Sequence, residues 1–112
     1  DMAITFTWSV SDMHKVTATG AVYKVEWSCS GVDADTEVSH SRSGSYLHTD
    51  SDGVQATPDH TASDFKAYTD LTEADVLAWC KADGVGASNE ALITSNITNK
   101  IAAQANSTGL PW

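Results

Sequence analysis

Four histidines, two cysteines and fifteen carboxylates are the residues of this chain able to hold a metal, move a proton or attack a substrate. His14, His40, His48 and His60 all fall in or beside polar segments, no two of them are four apart on a helix, and none has a flanking Cys. Zinc-type sites rest on such spacings, so no metal site is expected, although His40 and His48 could approach across a hairpin. Asp50-Ser51-Asp52-Gly53 begins like a calcium loop, with carboxylates two apart before a turn glycine. The third oxygen ligand and the closing bidentate Glu are missing, which leaves an ordinary Asp-Gly turn. Ser43-Gly44-Ser45 is not a nucleophile elbow, and no glycine-rich phosphate loop or dinucleotide fingerprint is present. Asp33 and Asp35 sit among turn residues, with nothing apolar beside them to raise a carboxyl pKa for acid catalysis. No catalytic residue, no cofactor and no metal are therefore expected.

Cys29 and Cys80 form no Cys-x-x-Cys pair and lie far apart, which reads as two reduced, partly buried thiols unless the fold brings them together as a disulfide. Asn96-Ile97-Thr98 and Asn106-Ser107-Thr108 match the glycosylation sequon. With no signal peptide visible at Met2-Ala3-Ile4-Thr5-Phe6, a cytoplasmic origin is the default and the matches are chance. Met2 is the expected natural start, with Asp1 a remnant ahead of it. The formal charge of -9 and six scattered basic residues give no basic patch to exchange for phosphate counterions, so neither nucleic acid nor an anionic membrane is an expected partner. No apolar run is long enough to span a bilayer.

The elements that position these residues follow from the hydrophobic rhythm. The 112 residues make one domain of α+β class. Ile4, Phe6, Trp8 and Val10 alternate with polar residues as a strand, and Ser11 to Gly20 reads as a turn-rich connection. A second strand covers Ala21 to Cys29, with Tyr23, Val25, Trp27 and Cys29 on one face, and Gly31 to Asp35 forms the next turn. A weaker third strand, Thr36 to about Tyr46, suits an edge, and Gly44 marks a bulge or a split into two short strands. The short connections make this a three- or four-stranded antiparallel meander over about residues 3–48. Residues 49–64 read as a loop.

The rhythm turns helical at Leu71-Thr72-Glu73-Ala74-Asp75-Val76. Thr72 is placed to cap, Asp75 to answer as the capping-box acid, and Leu71 to staple onto Val76. This predicts a helix over 73–83, ended by Gly84 in the left-handed conformation, and a second over 89–106 capped by Ser88, both packed on one face of the sheet. Phe6, Trp8, Val25, Trp27, Val76, Trp79, Ile97 and Ile101 are the expected core. An extended tail over 107–112 carries Leu110, Pro111 and Trp112 as the candidate interaction residues. A terminal Trp needs a socket, either as a latch folded back on the domain, the expected arrangement, or in a partner.

Thr7-Trp8-Ser9-Val10 with Met13, Val25-Glu26-Trp27, the run Phe65-Lys66-Ala67-Tyr68-Thr69-Asp70-Leu71-Thr72-Glu73, then Val76, Trp79 and the closing Leu110-Pro111-Trp112 together span most of the chain. In these pieces the sequence resembles small uncharacterised proteins of tailed bacteriophages, marine and cyanophage-like ones in particular. The resemblance implies a non-enzymatic accessory protein, virion-associated as a decoration or tail subunit, found in the host cytoplasm or in the particle. Acidic charge concentrated between Asp33 and Asp75 supports an alternative, a host-directed module that occupies a basic site on a host protein. Either way the expected partner is a protein.

Overall fold

The computed structural model describes residues 3–112, so the expected start at Met2 lies outside the described residues. Three antiparallel strands, β1 (Ile4–Lys15), β2 (Val22–Asp33) and β3 (Ser39–Leu47), form one sheet in the order β1-β2-β3. They are followed by a single 3-10 turn at Tyr68–Asp70 and two helices, α1 (Glu73–Lys81) and α2 (Val85–Ala103). The architecture is the α+β meander with two C-terminal helices on one face.

Both long strands outrun their expected ends. β1 continues through Ser11 to Lys15 because the pairing absorbs one extra residue: Val10 faces Trp27, but Asp12 rather than Ser11 faces Glu26. This bulge restarts the alternation in a new phase, so Met13 joins the apolar side opposite Val25. β2 continues through Gly31 to Asp33, where the buried Asp33 accepts hydrogen bonds from Ala3 N (3.2 Å), Thr36 N (3.0 Å) and Thr36 Oγ1 (2.7 Å). Gly44 neither bulges nor splits β3. It pairs with Trp27 in an unbroken ladder, and a Cβ there would lie 2.6 Å from the Trp27 ring, so the glycine makes room for the indole.

α1 starts as its sequence dictates. Thr72 Oγ1 accepts from Asp75 N at 3.2 Å while Asp75 Oδ2 accepts from Thr72 N at 3.0 Å, a complete capping box. It stops at Lys81, two residues short of the expected end, because Ala82 is extended and Asp83 and Gly84 both have positive φ (58° and 82°). Gly84 is therefore the cap that opens α2 rather than only the residue that closes α1, and Ser88 is not a cap. Its amide already donates to Gly84 O at 2.9 Å within the first turn.

α2 lies over β2 and β3, and α1 chiefly over β1. Val22, Val25, Trp27, Cys29, Val76, Cys80, Ile93 and Ile97 form the buried cluster, and Phe6, Trp8, Trp79 and Ile101 pack against it half-buried. Trp8 and Trp27 meet with ring centroids 5.0 Å apart, and the Trp8 Nε1–H donates to Glu90 of α2 at 2.8 Å. Arg42 Nε donates to Asn89 Oδ1 (2.8 Å), and Lys100 Nζ donates to Ser39 O (2.7 Å), which ties the β3 edge to α2. The opposite sheet face carries no second layer among the described residues. It is rich in hydroxyls, Thr5, Thr7, Ser28, Ser30, Ser41 and Ser43 among them, with Ser9 and Ser28 hydrogen-bonded at 2.9 Å.

Candidate functional site

The last residues are where structure and expectation part most clearly. Beyond Ala103 the chain leaves α2 and runs without regular structure to Trp112. Leu110 is 73% and Trp112 90% exposed, so the aromatic does not fold back as a latch on the sheet or a helix. Pro111 cannot continue a helix and biases Leu110 toward extended backbone, so this segment does not prolong α2. The molecule is elongated, 70 Å along its longest dimension against 25 and 22 Å along the other two.

Two open grooves flank the entry to α1. The larger, of about 540 Å³, is lined by Val22, Tyr46, Phe65, Leu71 and Trp79 together with the polar Asp59 and His48. Tyr46 and Trp79 face each other with centroids 6.1 Å apart. Three of its charged groups, Lys66, Asp75 and Asp59, are already committed. Lys66 Nζ donates to Asp75 Oδ2 at 2.7 Å, and this bond, with the Thr72 amide, holds the Asp75 carboxyl at about 2, well below its ordinary value. Asp59 is likewise held low by the Thr61 hydroxyl, which donates to it at 2.6 Å. The smaller groove, about 390 Å³, lies between Val10, Met13, Tyr68, Leu71 and Val76. Both ends of the expected Leu71–Val76 staple border it.

The residues weighed for chemistry are placed as follows. Cys29 and Cys80 are free and buried in the core, and burial pushes both thiols up in pKa, away from the reactive thiolate. His40 and His48 do not meet across a hairpin. They flank β3 at opposite ends, His40 Nδ1 lying 3.0 Å from Lys100 Nζ and His48 on the larger groove. Asp50 is used as a turn residue, its Oδ1 accepting from the amides of Asp52 (2.9 Å) and Val54 (3.0 Å). Asn96 sits within α2 and donates to Leu92 O at 2.9 Å. Among the described residues, no helix is long and apolar enough to cross a membrane.

One constellation escapes sequence reasoning. Asp12, His14 and Glu26 converge on the hydroxyl-rich face, each offering one donor atom within 4.8 Å of the others'. His14 Nε2 is 3.3 Å from Glu26 Oε2 and 4.0 Å from Asp12 Oδ2. Regular alternation from Val10 onward would have set Asp12 and His14 on the apolar face. The bulge at Ser11 reverses them, and only a break in the hydrophobic period, with Met13 as its sole apolar marker, hints at it in the sequence.

Residues 3–112, all of those described, match the family model "Domain of unknown function (DUF7936)". No curated protein and no solved structure matches the chain.

Proposed function

The chain belongs to the DUF7936 family, and from that premise we propose that it is a non-enzymatic accessory protein of a tailed phage, a virion-associated subunit that engages a protein partner through the Leu110-Pro111-Trp112 arm. The observation that carries this reading is the 90% exposure of Trp112 on the irregular segment that follows the last helix. Singly exposed apolar residues are ordinary, but a Trp and a Leu two apart beyond the last helix form a compact anchor. Burying the pair in a partner's pocket contributes about 3–5 kcal/mol by area, and Trp is among the residue types enriched where interfaces draw most of their binding energy. The rest of the surface supports binding over catalysis. His14 addresses Glu26 and His40 addresses Lys100 rather than a hydroxyl or thiol, and both cysteines are sealed in the core. The resemblance in Thr7-Trp8-Ser9-Val10 and Leu110-Pro111-Trp112 to tailed-phage proteins supplies the particle as the setting.

The test is incorporation into particles. Mass spectrometry of purified virions is expected to detect the full chain and to miss a version lacking Leu110 to Trp112, with melting temperatures of the two isolated proteins alike. Virions free of the full chain would remove the particle from the proposal. Undiminished incorporation of the truncated chain would remove the arm.

A further inference from the structure

Glu26 and Asp12 are direct cross-strand partners on an open sheet face, and two carboxylates in that relation repel. Natural ladders avoid such pairs or give them a counter-charge. Here the pair exists only because of the bulge at Ser11, which turns Asp12 and His14 to the same side as Glu26 and leaves Ser11 to donate to Glu26 O at 3.1 Å. Bulges recur where a strand must re-aim side chains for a purpose. The three donor atoms lie within 4.8 Å of one another, a spacing that the coordination sphere of one cation can draw together. Asp12 and His14 are two apart on one strand and Glu26 faces them from the next, so all three approach from one side.

We propose that Asp12, His14 and Glu26 bind a first-row divalent transition cation of the zinc and manganese class. The imidazole nitrogen selects for these over magnesium and calcium, whose shells are built from oxygen. The two carboxylates supply the charge that a divalent ion neutralises, which also relieves their mutual repulsion. Ligands from two strands of one rigid sheet fix the face of attack, and the solvent side of the ion stays open to water or to a donor from another protein. Lys24, the cross-strand partner of His14, stands on the same face and opposes the cation.

Calorimetric titration of the full chain with zinc chloride at neutral pH is expected to show one ion per chain, undisturbed by excess magnesium. Manganese chloride should broaden the amide resonances of residues 12–14 and 24–26 first. Glu26→Gln and His14→Asn are each expected to weaken zinc binding by at least about tenfold, and Lys24→Gln to tighten it, while His48→Asn leaves it unchanged. Glu26 is half-exposed and glutamine matches its shape, so circular dichroism should report an intact fold in that variant. No binding at millimolar zinc overturns the proposal. So does undiminished binding in Glu26→Gln, or broadening centred on Asp50 and Asp52 instead.

Discussion

Replacing Gly31 with alanine adds one methyl group at the point where α2 presses on the sheet. A Cβ built there lies 2.6 Å from Ile93 Cγ2, 3.2 Å from Ile4 Cγ2 and 3.3 Å from Phe6 Cε1. The first distance is about 1 Å inside the carbon–carbon optimum of about 3.5–4.0 Å. Ile93 is fully buried, and its β-branched side chain has essentially one rotamer in a helix, so it cannot swing aside and the helix itself must lift. Overpacking of this kind costs about 1–3 kcal/mol. Against it stands the gain of about 0.4–1 kcal/mol from stiffening the unfolded chain when Gly becomes Ala. The clash wins, and Gly31→Ala is expected to lose about 1–2 kcal/mol, read in urea as a lower midpoint at unchanged slope. Ile93→Ala alone should cost about 2–5 kcal/mol by leaving a cavity. In the double variant the new methyl enters that space, so the losses should sum to less than their parts by about 1 kcal/mol or more. Additivity within about 0.5 kcal/mol, or a more stable Gly31→Ala protein, would refute the placement of α2 over Gly31.

Trp27→Ala should cost about 3–5 kcal/mol in the same assay, because the indole is buried between Trp8 and the space left by Gly44; a smaller midpoint shift than that of Gly31→Ala would contradict this packing. Removing Leu110 to Trp112 should leave the melting temperature unchanged, since both large side chains are in solvent; a clear fall would show that they dock after all. Acid should unfold the protein progressively. The Asp75 carboxyl sits at about 2 through Lys66, and that of Asp33 is lowered first by the Thr36 hydroxyl, so the stability these groups contribute is complete above the unfolded carboxylate value of about 3.9 and is lost as pH falls through the folded values. Melting temperature should therefore drop between about pH 5 and 2, and Asp75→Asn should both lower it at neutral pH and flatten the acid limb; an unchanged limb would mean the Lys66 contact is not formed.

Much of the fold is legible because apolar spacing decides it. The alternation of Ile4, Phe6, Trp8 and Val10, the Thr72-to-Asp75 capping box, and Ile93 and Ile97 one helical turn apart each correspond to an element of the structure. The strand ends were illegible for a physical reason. Ser11 to Lys15 and Ser30 to Asp33 carry polar residues and a glycine, which in isolation favour turns, yet here the ladder satisfies their backbone and α2 needs the missing Cβ of Gly31. The start of α2 differs from the one expected at Ser88, which has the better capping side chain, because the chain reversal set by Asp83 and Gly84 decides where the helix can begin. For the candidate sites, the exposed arm could be named from its residues but its orientation could not. The Asp12–His14–Glu26 convergence depends on a one-residue register shift that no composition records.

The order of the elements has a consequence for synthesis. A ribosome completes the sheet long before the chain reaches α2, and the apolar side of that sheet, with Trp8, Val25 and Trp27, is covered by residues from Val76 onward. A nascent chain that ends in the 49–64 region thus presents a three-stranded sheet with two open edges and a greasy face at once. Such a species is a natural client for a holding chaperone and a natural seed for aggregation. The hydroxyl-rich opposite face confines apolar, face-to-face association to one side, while the two open edges leave lateral growth of the sheet available to misassembled early products.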